Sequence, residues 1–320
     1  MTNKSASFPS LQRQEKDTGP REGKAGARRA VPLLLRFAVF LEMIKFEHSI
    51  FALPFAYLGL LLAEEGMPRP SLFFYVTLAM VSFRTMGMAL NRLVDRQIDG
   101  RNPRTRNRAL PAKKLEPGFV WAVTLFSFFI FEAAAYRLGP LCFFLTPIPV
   151  FLAVLYPFTK RFTWISHGVL GIILGIAPYG AWLASRGNFS WIPGLLTLGV
   201  ACWAAGFDMI YALQDMDFDR ASALYSVPAR FGAEAALRLV RFLHTAAIAA
   251  FSLSGILAGR GFFYFLGIGL SAVFLVREHR LLGSFGLKKI EEAFFSMNAA
   301  VGITVFLGAA ADFSLGRFFS

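Results

Sequence analysis

Long apolar runs recur from one end of the chain to the other, and they constrain the fold more than any other feature. A helix of about 20 apolar residues spans the ~30 Å hydrocarbon core of a bilayer. Of the 320 residues, 56% are hydrophobic and 17% are charged, whereas about 25% of residues in a soluble domain are charged. Lipid offers the backbone no hydrogen-bond partners, and the alternation typical of barrel strands is lacking from the sequence. We therefore predict an all-α polytopic membrane protein embedded in the lipid bilayer.

The apolar runs predict nine transmembrane helices, with an amphipathic lead-in over residues 31–42. The predicted spans are residues 43–63, 71–92, 117–136, 140–158, 164–185, 191–213, 237–259, 261–277 and 293–312. Residues 1–30 are polar, with seven Lys or Arg and three Asp or Glu, and they lack the apolar core of a signal peptide. We expect residues 1–30 to form a disordered basic tail in the cytoplasm and residues 31–320 to form one transmembrane domain.

Basic residues are concentrated in alternate connections between the predicted spans. Eight lysines and arginines lie between Arg92 and Lys114, after the second span, and further basic loops follow spans four, six and eight. The positive-inside rule then places the amino terminus in the cytoplasm and the carboxyl terminus outside the inner membrane. Because this distribution explains the net charge of +13, we expect no nucleic-acid partner.

Two stripes of acidic side chains are predicted at the cytoplasmic ends of the second and sixth spans. Asn91, Asp95 and Asp99 are spaced i, i+4 and i+8, which places them on one face of a helix. The second stripe follows steps of three, four and four along the sixth span: Asp208, Tyr211, Asp215 and Asp219. Asp217 falls off that face and is predicted to be solvated.

Two like-charged stripes that share a cavity repel each other unless a cation lies between them. Carboxylate oxygens without histidine or thiolate suit Mg²⁺, which is commonly shared with substrate phosphates. Basic side chains nearby suit the same ligand, because they pair with phosphate oxygens. The candidates are Arg92, Arg96, Arg104, Arg108, Lys160 and Arg161. Either stripe alone is explained equally well by ordinary ion pairs at a helix end, but the two together predict Mg²⁺ with a phosphorylated ligand.

At these residues the sequence resembles the UbiA superfamily of intramembrane prenyltransferases. The first stripe matches the family motif N-x-x-x-D-x-x-x-D, and Asp215 with Asp219 matches the second motif, D-x-x-x-D. Tyr156 and Lys160 match a third element, a tyrosine followed four residues later by a lysine. The resemblance covers roughly residues 32–312. The segments "NPRTRNRALP" and "KFEHSIFALPFAYLG" resemble the branch that prenylates 4-hydroxybenzoate for quinone synthesis.

The resemblance implies nine helices in a ring around a central cavity that opens laterally toward lipid. It also implies that Mg²⁺ binds both aspartate motifs, with the diphosphate of a polyprenyl donor between them. The metal ligands expected from it are Asp95, Asp99, Asp215 and Asp219, with Asn91 as a ligand or an orienting group. The diphosphate oxygens are expected on Lys160, Arg104 and Arg108.

The implied reaction is an electrophilic aromatic substitution, in which an allylic carbocation attacks the ring of a small aromatic acid. Positive charge on the prenyl group can be stabilised by aromatic faces, each typically by about 0.5–2 kcal/mol. Tyr156 and Tyr211 are in register with the motif residues, so we assign catalytic roles to them together with Asp215. Interfacial packing is the alternative interpretation of either tyrosine.

Arg84 is predicted to lie deeper in the membrane, seven residues before Asn91 and hence about 10 Å further along the helix. A charge at this depth is costly and usually functional. We expect Arg84 to hold the carboxylate of an aromatic acid acceptor. A buried ion pair with Glu47 or Asp208 is the alternative.

Polar residues of the first span are further candidates. Lys45, Glu47 and His48 are predicted to line the cavity, although a position at the membrane interface would also fit their chemistry. His48 is therefore counted with Asp208 among the substrate-binding candidates. His167 and His244 stand alone in the sequence and are interpreted as structural residues.

Two other functions remain open from the sequence. A dihydroxynaphthoate acceptor of menaquinone synthesis is the second interpretation within the prenyltransferases. A membrane transporter is the alternative from another class, because intramembrane charges and prolines within spans also occur in carriers. Carriers usually bind their substrate at the midplane, whereas these acidic residues are gathered at one face.

Overall fold

The computed structural model describes residues 32–46, 49–285 and 290–315, and over these ranges it contains helices and no strands. The prediction of an all-α protein is confirmed over this part of the chain. The helices in chain order are α1 Leu33–Met43, α2 Ser49–Glu64, α3 Pro70–Arg101, α4 Pro117–Leu138, α5 Pro140–Leu145, α6 Pro147–Thr159, α7 Ser166–Arg186, α8 Trp191–Ala212, α9 Met216–Ala221, α10 Val227–Phe231, α11 Ala233–Leu257, α12 Phe262–Phe285 and α13 Ile290–Leu315. The predicted tail, residues 1–30, lies outside the described residues.

Eight helical segments within the described ranges are long and apolar enough to cross a bilayer. The first predicted span, residues 43–63, corresponds instead to α2, which begins at Ser49 and has only 16 residues. The other eight predicted spans each correspond to one of the long segments, so the predicted count of nine is close. The chain is therefore a multi-pass membrane protein.

Proline marks where several helices begin and where one span is broken. Helices α3, α4, α5 and α6 each carry proline in the first turn, where its missing N–H costs no hydrogen bond. The fourth predicted span is divided into α5 and α6 at Thr146, directly before Pro147.

The first acidic motif lies on an unbroken helix that is longer than the membrane is thick. Helix α3 has 32 residues, which gives a length of about 48 Å at ~1.5 Å per residue. Asn91, Asp95 and Asp99 all lie in its last three turns, as the spacing predicted. Because the hydrocarbon core is only ~30 Å thick, this end of α3 can reach the aqueous boundary.

The second acidic motif lies on a helix whose winding changes. Helix α8 ends at Ala212, a 3₁₀ turn follows over Leu213–Asp215, and α9 carries Asp219. The predicted α-helical spacing from Asp208 to Asp219 is therefore interrupted by a 3₁₀ turn, which has about 3.0 residues per turn, but the four residues of the stripe still line one cavity. Asp217 is exposed, as predicted.

Helices α7 and α8 pack unusually close together. A Cβ atom added at Gly171 would lie 2.3 Å from the carbonyl oxygen of Ala201, and one at Gly175 would lie 2.6 Å from that of Thr197. Only glycine fits at these two positions, so the backbones of α7 and α8 can touch. This contact brings together His167, at the start of α7, and Asp208, near the end of α8.

Candidate active site

The two aspartate motifs line one shared cavity of about 910 Å³. Helices α3, α6, α7 and α8 supply much of its wall, and the segment after α3 closes one side. The predicted site residues that line it are Arg84, Asn91, Arg92, Asp95, Asp99, Arg104, Arg108, Tyr156, Lys160, Asp208, Tyr211, Asp215 and Asp219. The structure therefore brings together residues that are up to 135 positions apart, between Arg84 and Asp219.

Two described candidates from the sequence, Arg161 and Arg96, do not line this cavity. Arg161 lies outside the wall, where its guanidinium donates to the carbonyl oxygen of Val94 at 3.1 Å. Arg96 is exposed on the surface of α3, so its prediction as a phosphate ligand is not supported by its position. His48 lies outside the described residues.

Basic side chains neutralise both aspartates of the first motif. Lys160 Nζ lies 2.5 Å from Asp95 Oδ2, and Arg161 lies 3.7 Å from the other oxygen of the same carboxylate. Arg108 Nη1 lies 2.7 Å from Asp99 Oδ1. Both carboxylates are buried, so each charge would be costly without its partner.

Arg104 neutralises the second motif. Its guanidinium holds both oxygens of Asp215, with Nε donating to Oδ1 at 2.9 Å and Nη2 donating to Oδ2. The remaining nitrogen, Nη1, donates to the Tyr211 hydroxyl at 2.8 Å, and the guanidinium carbon lies 4.9 Å from the centre of the Tyr211 ring. Burial alone would lower the pKa of Arg104, but these hydrogen bonds outweigh it and raise the pKa above its usual value. Arg104 is therefore a permanent cation.

Two polar side chains support the second motif and were not singled out from the sequence. Asn102 donates from Nδ2 to Asp215 Oδ1 at 2.8 Å, and its own oxygen accepts the backbone N–H of Arg104 at 2.9 Å. Ser226 donates to Asp219 Oδ2 at 2.9 Å. Asn102 is the C-cap of α3, three residues after Asp99, and it begins the segment "NPRTRNRALP", which is the sequence signal that could have identified it.

The chemistry of the carboxylates fits a hard divalent cation. Asp95 Oδ1 and Asp99 Oδ2 are buried oxygens without a hydrogen-bond partner among the described residues. Oxygen-only ligands without thiolate suit Mg²⁺. Within the described residues, however, no three His, Cys, Asp or Glu side chains are close enough to form a metal site. The aspartates are turned toward basic side chains of the chain, so metal binding requires them to change partners.

The tyrosines and Arg92 connect the two motifs. Electrostatic interactions join Tyr156 to Asp208, Asp95 and Arg92, which places its phenol between the two acidic groups. Arg92 donates to the carbonyl oxygen of Met43 at 3.4 Å at the end of α1. Charged and phenolic side chains from α3, α6 and α8 therefore share the polar end of the cavity.

A second polar layer lies deeper in the cavity. Arg84 donates to the carbonyl oxygens of Lys45 at 3.1 Å and Ile44 at 3.5 Å. Asp208 is bonded to His167, whose Nδ1 lies 2.7 Å from Asp208 Oδ2. His167, which stands alone in the sequence, is therefore not isolated in the fold, and its structural role stays a prediction. Asp208, one of the two alternative partners for Arg84, is hydrogen-bonded to His167, and the other, Glu47, lies outside the described residues.

His244 is not isolated either, although it is remote from the aspartate motifs. Its Nδ1 lies 3.2 Å from His279 Nε2 and 3.9 Å from Glu278 Oε2. Asn298 donates to Glu278 Oε1 at 2.8 Å and accepts from Trp203 Nε1 at 2.9 Å. These residues come from four helices with no shared spacing in the sequence, so no local pattern could have predicted the cluster.

Comparison with known proteins agrees with this geometry. The sequence profile of the UbiA prenyltransferase family matches residues 52–300. A 4-hydroxybenzoate octaprenyltransferase of Pseudoalteromonas translucida (strain TAC 125) is 32% identical over 254 residues, which cover 79% of this chain and 86% of the relative. The enzyme of the same name from Francisella tularensis subsp. tularensis (strain WY96-3418) is 27% identical over 261 residues, covering 81% and 89%.

Solved structures have the same fold. The apo structure of a UbiA homolog from Aeropyrum pernix K1 has a TM-score of 0.76 and 33% sequence identity, and the match covers 83% of this chain and 98% of that one. A UbiA homolog from Archaeoglobus fulgidus, solved with GPP and Mg²⁺ bound, has a TM-score of 0.66 at 17% identity, covering 85% and 99%. With its helical architecture and a profile match over most of its length, the chain belongs to the UbiA prenyltransferase family.

Proposed function

We propose that this protein transfers a polyprenyl group from a polyprenyl diphosphate to a small aromatic acid resembling 4-hydroxybenzoate, in a reaction that requires Mg²⁺. The observation that carries the proposal is one cavity in which buried aspartates and three basic side chains are paired with each other. Such a set suits a metal diphosphate, because the carboxylates are ligands for the metal and the basic groups are ligands for phosphate oxygens. The names of the relatives and the GPP and Mg²⁺ of the Archaeoglobus fulgidus homolog support the same assignment.

Asp95, Asp99, Asp215 and Asp219, with Asn91, are the residues that would hold Mg²⁺. When bound there, Mg²⁺ offsets the negative charge that grows on the departing diphosphate. Lys160, Arg104 and Arg108 would hold the diphosphate oxygens, after exchanging their present carboxylate partners for phosphate. Positioned cations of this kind lower the barrier because they are in place before the charge develops.

The apolar part of the cavity suits the prenyl chain and protects its reactive carbon. Residues such as Phe83, Met80 and Leu174 line the wall beyond the charged end. Water would capture an allylic carbocation, so a dry wall favours transfer to the acceptor. The faces of Tyr156 and Tyr211 stabilise the positive charge by about 0.5–2 kcal/mol each.

Arg84 would bind the carboxylate of the aromatic acid. It lines the same cavity seven residues deeper along α3 than Asn91, so an acid held there presents its ring toward the diphosphate end. A dihydroxynaphthoate that carries a carboxylate would fit the same arrangement and remains the second candidate acceptor. Membership in a family of prenyltransferases favours the enzyme over the transporter.

The basic loops support an orientation in the membrane. Eight lysines and arginines between Arg92 and Lys114 adjoin the aspartate motifs, and the positive-inside rule assigns this end of the cavity to the cytoplasm of an inner membrane. The amino terminus would then be cytoplasmic and the carboxyl terminus external.

The test is an assay of purified protein in lipid with Mg²⁺, a long prenyl diphosphate and a panel that includes 4-hydroxybenzoate and dihydroxynaphthoates. We expect Mg²⁺-dependent release of pyrophosphate in equal amount to a prenylated aromatic product. Asp95→Ala and Asp215→Ala should abolish both products. Asp217→Ala is the matched control, because Asp217 belongs to the same segment but is exposed. Solute flux without pyrophosphate release, or full turnover by Asp95→Ala, would contradict the proposal.

A further inference from the structure

Asp208 differs from the other acidic residues of the cavity in the partner that it has. Asp95, Asp99 and Asp215 are bonded to lysine or arginine, and Asp219 accepts a hydrogen bond from Ser226, whereas Asp208 is bonded to a histidine. We propose that Asp208 accepts the proton that the aromatic ring loses after prenylation, and that His167 is the positioning residue that holds Asp208 for this step. The inference rests on the proposed function, since it requires an aromatic acceptor.

The hydrogen bonds of His167 define which of its nitrogens carries a proton. The backbone N–H of Val227 points at His167 Nε2 at 3.4 Å, so Nε2 acts as an acceptor and carries no proton. The proton of the neutral ring is then on Nδ1, which donates to Asp208 Oδ2 at 2.7 Å. A neutral donor orients the carboxylate and leaves its charge in place. The Asp208 carboxylate therefore has a neutral hydrogen-bond donor as its partner, and no lysine or arginine among the described residues forms an ion pair with it.

Burial separates the roles of the two residues. The side chain of His167 is 5% exposed and lies behind the wall, whereas that of Asp208 is 21% exposed and lines the cavity. A substrate in the cavity can therefore touch Asp208 but not His167. This is the arrangement expected of a group that transfers protons and of a second group that holds it in place.

The packing of α7 against α8 is what brings the pair together. His167, Gly171 and Gly175 are spaced i, i+4 and i+8, so they lie on one face of α7. That face contacts α8 at Thr197 and Ala201. Asp208 lies further along the same helix. The two glycines allow the close approach that a 2.7 Å hydrogen bond between the helices requires.

The depth of Asp208 matches that of the proposed acceptor site. Asp208 precedes Asp215 by seven residues, and Arg84 precedes Asn91 by seven, so each lies about 10 Å deeper than its motif along the helix rise. Both side chains line the cavity. An aromatic acid whose carboxylate is on Arg84 would then have its ring in the layer where Asp208 is exposed.

The proposed step balances without a further reactant. The C–O bond of the prenyl diphosphate breaks and its electron pair leaves with the diphosphate, while the ring carbon forms a bond to the prenyl carbon. The electron pair of the ring C–H bond then returns to the ring, and the proton passes to a carboxylate oxygen of Asp208. Product release returns that proton to solvent.

The experiment compares Asp208→Asn, His167→Leu and His167→Gln in the same assay, using an acceptor with deuterium at the ring carbon that receives the prenyl group. General-base contributions are typically about 10²- to 10⁴-fold, so Asp208→Asn should slow product formation by about 100-fold or more. Its rate of product formation should also show a primary deuterium isotope effect that the wild type lacks. Because ionisation precedes this step, pyrophosphate release should exceed prenylated product in this variant. His167→Leu should show the same signature more weakly, at about tenfold, and His167→Gln should restore most of the rate because glutamine keeps a donor.

The outcomes separate this inference from the proposed function. A wild-type protein that prenylates no acceptor in the panel would contradict the proposed function itself. An active wild type, with an Asp208→Asn variant that binds prenyl diphosphate normally and turns over at the wild-type rate, would overturn the inference alone. Equal loss of pyrophosphate and product without an isotope effect would also overturn it, because Asp208 would then act on the donor. If Asp208→Asn fails to fold, the comparison of His167→Leu with His167→Gln gives the same decision.

Discussion

Lys160 forms an ion pair with the carboxylate of Asp95, which a divalent cation would need as a ligand. Removing the charge of Lys160 should therefore strengthen metal binding and weaken diphosphate binding. Lys160 Nζ lies 2.5 Å from Asp95 Oδ2, and the Asp95 side chain is 6% exposed. Lys160→Met keeps the length of the side chain and removes its charge. The carboxylate then has Arg161 as a more distant cation at 3.7 Å, and its second oxygen already has no hydrogen-bond partner among the described residues.

The size of the effect follows from the geometry of the pair. Two unit charges at this separation attract by about 7 kcal/mol at an effective dielectric constant of about 20, and desolvation offsets much of that attraction. Measured couplings of close charge pairs are about 1.5–7 kcal/mol. Lys160 is 29% exposed, so we take the low end. A change of about 1.5–3 kcal/mol corresponds to a metal affinity about 10- to 100-fold higher than that of the wild type.

The assay is a titration with Mn²⁺, which prefers similar oxygen ligands and can be followed by electron paramagnetic resonance. Purified protein is titrated without and then with inorganic pyrophosphate. Lys160→Met should bind Mn²⁺ more tightly without pyrophosphate but gain less affinity than the wild type when pyrophosphate is added. Lys113→Met is the control, because it removes the same charge from an exposed position in the basic loop.

Two results would refute this reasoning. Mn²⁺ affinity of Lys160→Met equal to or below that of the wild type would mean that Asp95 is not released for the metal. An equal gain in Lys113→Met would mean that net charge near the membrane surface, and not the contact with Asp95, sets the affinity. A thermal melt with and without Mn²⁺ excludes unfolding as the cause, since the bound metal should stabilise the variant more than the wild type.

Three further predictions follow from other contacts. Arg84→Ala should raise the KM of the aromatic acid by about 10- to 100-fold, as expected for the loss of a charged hydrogen bond, and should change the donor KM much less; equal changes in both would support an ion-pair role. Tyr211→Phe removes the hydroxyl that Arg104 contacts but keeps the ring, so prenyl diphosphate affinity should fall by only about 1 kcal/mol, and Tyr211→Leu should lower it further. Gly171→Ala places a Cβ 2.3 Å from the carbonyl oxygen of Ala201, and overpacking of this kind typically costs about 1–3 kcal/mol. The melting temperature of this variant should fall well below that of Gly118→Ala, where no atom lies within 4 Å of the added Cβ.

The sequence predicted the elements of this fold better than it predicted the contacts between them. Helical spacing placed Asn91, Asp95 and Asp99 correctly, because α3 is one unbroken helix and its periodicity is local information. From Asp208 to Asp219 the same spacing missed a 3₁₀ turn, although the four predicted residues still line the cavity. The shortness of α2 was also missed, since an apolar run does not reveal the residue at which a helix begins.

Contacts made by tertiary packing could not be read from spacing. His167 has no acidic residue near it in the sequence, yet it bonds Asp208 across 41 positions. Asn102 supports Asp215 across 113 positions. Each contact depends on how two helices pack, and a single sequence carries no record of that packing beyond small residues such as Gly171.

The ion pairs also change the argument by which the sequence predicted a metal. Two acidic stripes in one cavity required a cation between them, and Mg²⁺ was the expected one. Lys160, Arg108 and Arg104 already meet that requirement, because they neutralise the carboxylates from within the chain. Three of the carboxylates, Asp95, Asp99 and Asp215, are therefore neutralised without metal. When a metal and a diphosphate enter together, the side chains can exchange partners. Each carboxylate then binds the metal, and each basic side chain that it releases binds a phosphate oxygen. Metal or diphosphate alone would leave one set of charges unpaired, so the two ligands should bind cooperatively.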